Sequence, residues 1–192
     1  MVLTTRILID QLSDYRDPSG KIMRMTERGE LFPLTRGLYE TDKNVPACAL
    51  ACVIYGPSYL SFDYALSYYG LIPESARVYT SATFNKKKKK QYTNIFGRYT
   101  YRDVPSMAYP FEILFKSENE YIYQIASPEK ALCDKLYSVE PLMNIKEMEE
   151  FLFENLRIDE YLFSKLDKNK LCCLSDLYPS NSLKFLKKYI GM

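Results

Sequence analysis

The sequence predicts an α+β protein in two parts: a small module over residues 1–45 and a larger α+β domain over residues 46–192. Three observations predict it. Helix-capping signals and 3.6-residue periodicity mark both ends of the chain, and alternating runs rich in Thr, Tyr and Val occupy its middle. An apolar stretch from Val45 to Gly56, opened by Pro46, separates the two. With 47% hydrophobic and 26% charged residues, and with 18 Tyr and 10 Phe, the chain has the balance of a globular protein with ample core material.

The first module is predicted element by element. Ile7, Leu8 and Leu12 form an apolar stripe at helical spacing that ends near Tyr15. Asp17-Pro18 then opens a second helix, with Asp17 as the cap and Pro18 at the first helical position, and Gly29 stops it after Arg28. Lys21, Arg24 and Arg28 share one side of that helix, while Ile22 and Met25 turn toward a core. Leu31 to Tyr39 follows as an extended ribbon around Arg36-Gly37. Helix, basic helix and Arg-tipped ribbon is the order of a winged helix-turn-helix, in which a basic helix enters the major groove and the wing reaches the backbone or minor groove. The module is short for that fold: two helices precede the ribbon where three are usual. Its acids (Asp10, Asp14, Asp17, Glu27, Glu30, Glu40, Asp42) match its bases in number, so net charge alone does not select DNA binding over a solvated helix face.

In the larger domain, Ala47 to Val53 is apolar all round and reads as a buried helix. Phe62 to Tyr69, closed by Gly70, is a second. Val78 to Phe84 and Gly97 to Val104 read as strands that return on each other, and Phe111 to Phe115 and Tyr121 to Ala126 as two more. Together they make a small, mostly antiparallel sheet. Ser127-Pro128-Glu129 is a strong helix start, and C-terminal helices follow over residues 145–156, 159–166 and 181–190.

The chain has no histidine, no GxxxxGK[ST] and no GxGxxG. This removes Ser-His-Asp and Cys-His catalysis, HExxH zinc sites and the usual nucleotide-binding loops, so no catalytic residue is assigned and an enzyme is the minority reading. The five cysteines form no CxxC pair and read as small buried hydrophobes in a reducing compartment, so neither a metal nor another cofactor is expected. The longest apolar run is too short to span a bilayer, which needs about 20 residues. The first residues lack the pattern of a cleaved signal, so a cytoplasmic location is expected, with no membrane partner.

One segment stands apart. Phe84 to Tyr92 reads FNKKKKKQY, and the span from Ser75 to Arg102 contains no acid. Lys86, Lys87, Lys88, Lys89 and Lys90, with Arg98 and Arg102, form either a solvated hairpin connection or a patch of auxiliary phosphate contacts.

Four pieces occur in one order: LFPLTRGLYET (31–41), YLSFDYALSYYGLIPE (59–74), GRYTYRDV (97–104) and IASPEKALCDKLY (125–137). Together they resemble the AbiEi-type antitoxins of bacterial type IV toxin–antitoxin (abortive infection, or phage defence) systems, over residues 16–140. The resemblance implies a winged helix that represses its own operon by binding promoter DNA, followed by an antitoxin domain. The partner it implies is a neighbouring nucleotidyltransferase-like toxin, which the antitoxin counters without being a catalyst itself. On this sequence the DNA contacts would be Lys21, Arg24 and Arg28 on the reading helix and Thr35 and Arg36 on the wing. Gly37 would let the wing turn, and Leu38 and Tyr39 would anchor it. Glu129, Lys130 and Asp134 read as a helix start and a surface i, i+4 pair. The alternative is a protein-interaction module whose winged helix has decayed and no longer binds DNA.

Overall fold

The computed structural model describes residues 1–191. The chain opens with strand β1 (Val2–Thr4), helix α1 (Thr5–Gln11), helix α2 (Pro18–Glu27) and the strands β2 (Phe32–Thr35) and β3 (Leu38–Glu40). The strands form an antiparallel sheet in the order β1-β3-β2. Asp17 caps α2 through Gly20 N–H at 2.9 Å, Pro18 begins it, and Gly29 ends it with φ +70°. Leu3, Leu8, Ile22 and Leu31 are the whole buried core of this module, with Leu12, Met25 and Tyr39 packed around them. Of the stripe expected on α1, Ile7 is exposed, because the short helix turns only Leu8, and partly Leu12, onto that core.

The rest of the chain builds a six-stranded sheet in the order β6-β7-β5-β4-β9-β8. Its strands are β4 (Tyr59–Leu60), β5 (Val78–Thr83), β6 (Lys90–Asn94), β7 (Gly97–Asp103), β8 (Ile113–Glu118) and β9 (Tyr121–Ala126). Antiparallel pairing holds at three of its five interfaces, whereas β4–β9 and β5–β7 are parallel. The expectation that Gly97–Val104 returns on Val78–Phe84 is therefore corrected. Strand β6 intervenes as the true hairpin partner of β7, and residues 84–89 cross the sheet end to reach it.

The sheet's faces separate by residue parity. Helix α3 (Ala47–Ile54) covers one, where the hydroxyls of Tyr99 and Tyr101 donate to its Ala47 and Ala51 carbonyls at 3.1 and 2.6 Å. Helices α4 (Phe62–Tyr68) and α5 (Pro128–Ser138) cover the other. Thr80 on β5 links to α4 by accepting from Tyr64 N–H and donating to the Ser61 carbonyl. Helix α6 (Ile145–Glu150) continues as a π-helical turn, Phe151–Asn155, and is followed by α7 (Glu160–Lys165), α8 (Lys168–Ser175) and α9 (Asn181–Ile190). Leu183, Leu186 and Ile190 bury one face of α9 and leave Lys184, Lys187 and Lys188 outside. No helix among the described residues is long and apolar enough to cross a membrane.

The small module leans on the large sheet at the β6 edge. Asn94 donates through Nδ2 to the Leu34 carbonyl at 3.2 Å, and Phe96 meets Phe32 edge-on with ring centroids 6.0 Å apart. Leu34 belongs to the large core although it lies on β2.

Candidate nucleic-acid interface

Helix α2 presents Arg24 and Arg28 to solvent, while Ile22 is buried on its opposite side. Lys21 is half-buried and sets its ammonium 5.3 Å from the centre of the Tyr15 ring, a contact that holds the side chain against the turn between α1 and α2. Arg28 lies 3.9 Å from Glu30 in an exposed pair that contributes little to stability. The β2–β3 turn carries half-buried Thr35 and exposed Arg36. Gly37 sits at φ +78°, where a side chain would be strained, and its carbonyl accepts from Thr5 N–H at 2.9 Å. Leu38 packs against the large core and Tyr39 against the small one, so the turn is fixed from both sides.

The structure divides the lysine run rather than keeping it together. Lys86 turns back: its ammonium donates to the Gly56 carbonyl at 2.9 Å and stands 5.1 Å from the Tyr55 ring centre. Lys87, Lys88 and Lys89 remain exposed and line a groove of about 390 Å³ with Arg102, Asp103, Tyr137 and Ser138. Lys90 opens β6 opposite Tyr101, on the sheet face away from Arg102. Arg98 donates to Gln91 Oε1 at 2.9 Å and lines a separate groove with Arg77, Asp63 and Thr100. The wing touches the tip of the β6–β7 hairpin, at Asn94 and Phe96, whereas the exposed lysines precede the other end of β6. The structure therefore sets the lysine groove and the α2–wing surface at opposite ends of this strand.

The largest departure from the sequence reading lies on α5. Lys130 and Asp134 are not a surface pair; both are fully buried, 3.4 Å apart. Asp134 accepts from the hydroxyls of Tyr59 (2.9 Å), Ser61 (2.7 Å) and Tyr178 (2.6 Å). Lys130 donates to the Tyr178 hydroxyl and to the Ala108 carbonyl, each at 2.6 Å. Burial holds the Lys130 ammonium below the usual lysine range, with the Asp134 charge opposing the shift. Burial, reinforced by the same carboxylate, pushes the phenols of Tyr59 and Tyr178 well above theirs. Buried Glu129 accepts from the backbone N–H of Asp167, the residue that caps α8. With its charged atoms enclosed and hydrogen-bonded, the cluster ties β4, α5, the 104–110 loop and the α8–α9 connection into one body. A sequence signal for it exists: Ala131, Leu132, Cys133 and Leu136 are buried around α5, so charges interleaved among them have no solvent face to occupy.

The five thiols are free. Cys48 donates to Glu118 at 3.6 Å and its thiol is pushed up to about 11, by burial first and the Glu118 charge second. Among the described residues no group of three acidic, Cys or His side chains is placed to hold a metal ion. No protein-family model matches the chain, and no curated protein matches it either.

Proposed function

We propose that the chain is a DNA-binding antitoxin: an autorepressor of its own operon whose larger domain counters a nucleotidyltransferase-like toxin of the type IV class, acting by binding rather than catalysis. The four ordered motifs support this reading. So does the order β1-α1-α2-β2-β3 with sheet order β1-β3-β2, which is that of a winged helix lacking its leading helix. The observation that carries it is the exposed Arg24–Arg28 face of α2 beside an Arg36-tipped turn, a basic helix and wing of the kind that engages groove and backbone together.

The test is a mobility shift with the fragment upstream of the operon at low salt. The protein retards that fragment over a scrambled one, and Arg24→Glu with Arg28→Glu abolishes the difference while the fold is retained. Absence of any shift with folded protein overturns the DNA reading. The antitoxin half is tested by co-expression with the adjacent nucleotidyltransferase-like gene, where growth is restored by the full chain.

A second reading has one observation in its favour. Ile7 on α1 and Met23 on α2 are exposed, apolar side chains that a protein partner would cover. Under that reading the promoter fragment is retarded no more than the scrambled one, and Ile7→Lys with Met23→Lys abolishes rescue from the toxin.

A further inference from the structure

We propose that the groove at the C-terminal end of the β5–β7 pair is a phosphate-binding site in its own right, which takes the backbone of a nucleic acid without reading its sequence. Lys87, Lys88 and Lys89 enter it from the crossover and Arg102 from β7, against a single acid, Asp103. Four positive charges and one negative leave the groove at +3 (4 − 1). The carboxylate is itself already engaged, accepting from Thr83 Oγ1 at 2.6 Å and from the Lys87 backbone N–H at 2.7 Å. Ion pairs elsewhere in the molecule join Lys135 to Asp63, Lys170 to Glu112 and Lys187 to Asp176, yet among the described residues none includes the four groove cations.

A solvated loop needs no fixed shape, and this one has it. Asn85 and Lys87 sit at φ +54° and +55°, in the left-handed region that non-glycine residues seldom occupy. Asp103 holds the Lys87 N–H, Asn85 accepts from Ser106 Oγ at 2.9 Å, and Lys86 is tied to Gly56. Arg102 lies 5.3 Å from the centre of the Phe62 ring, which fixes its direction. Like charges are thus directed into one groove by a loop of fixed shape, where a bound anion lowers their mutual repulsion.

The ligand is a polymer rather than a free nucleotide because the charge continues. Arg98 shares a sheet face with Arg102 four residues along β7, about 13 Å away. With Arg77 it lines the next groove, where the one acid, Asp63, is neutralised by Lys135 at 2.6 Å. That span is about four nucleotide steps. The site stands whether or not α2 reads an operator.

The experiment measures binding of the full-length protein to random-sequence duplex, random-sequence single strand and ATP across a salt series. A variant carrying Lys87→Ser, Lys88→Ser, Lys89→Ser and Arg102→Gln is compared with one carrying Arg24→Glu and Arg28→Glu, after thermal melts show both folded. The groove variant lowers the slope of log K against log salt on random duplex by about 3 to 4. The helix variant lowers it by less and retains the groove contribution. An unchanged slope in the groove variant overturns the proposal. ATP binding as tight as that of the oligonucleotides, and lost equally in the groove variant, overturns the polymer assignment in favour of a free nucleotide.

Discussion

Lys130 and the run Lys86–Lys90 are lysines in opposite circumstances. The run is conspicuous in sequence, yet most of it is exposed and only Lys86 is drawn into the body of the domain. Lys130 is inconspicuous in sequence, yet it is fully buried against a carboxylate, a phenol and a carbonyl. The difference teaches that charge density along a chain does not locate electrostatic energy in the fold. That energy depends on how far solvent is excluded, since two unit charges interact several-fold more strongly inside a protein than at its surface.

The sharpest way to break the comparison is to remove one member of the buried pair. Asp134→Leu strands the Lys130 ammonium and the three hydroxyls that donated to the carboxylate, and is expected to cost about 3–5 kcal/mol in denaturant unfolding. Lys130→Met is expected to cost less, because Asp134 keeps its three hydroxyl donors, and the double variant less than the sum of the two. If all three are neutral, the network does not clamp these elements together.

Alkaline titration gives the next largest effect. Tyr59 and Tyr178 have folded pKa values raised above their unfolded ones, so above about pH 10 the unfolded chain has lost protons that the folded chain retains. Stability therefore falls as pH rises from 10, and these two residues alone remove about 3 kcal/mol by pH 11 at about 1.4 kcal/mol per unit each. Tyrosinate absorbance of the buried phenols appears together with loss of far-UV ellipticity, not before it. Tyr178→Phe is smaller again. It withdraws a hydroxyl shared by Lys130 and Asp134, and a cost of about 1–3 kcal/mol is expected in equilibrium unfolding. At the far end of the comparison, replacing Lys87, Lys88 and Lys89 by Ser changes stability by no more than about 0.5 kcal/mol in the same assay. A larger loss would mean that the run supports the fold.

The same contrast explains what was legible in the sequence. Helices with a cap and a sustained apolar stripe, such as Pro18–Glu27 and Asn181–Ile190, were readable because their determinants are local. The strands β1 and β4, three and two residues long, exist only through their partners and carry no period of their own. Strand β6 was hidden by its polar composition, and with it the parallel pairing of β5 and β7, which depends on contacts far apart in the chain. A Lys-x-x-x-Asp spacing is identical on a wet helix and a dry one, so only the apolar residues around it decide burial. Of the expected interface, Arg24, Arg28 and Arg36 are exposed, whereas the lysine run is divided among three different surroundings.

The seam between β2 and β6 has a practical consequence. The two edges of the large sheet are treated differently: β8 is uncovered, with Phe115 at 70% exposure, while β6 is screened by the wing strand through Asn94 and Phe96. A fragment that begins after Glu40 thus loses more than the basic helix. It bares a second strand edge and the Phe96 ring, leaving the lysines at the head of β6 as the main guard against intermolecular strand pairing. Poor solubility of such a fragment would report that open seam, and its failure to act in cells would say nothing about DNA binding.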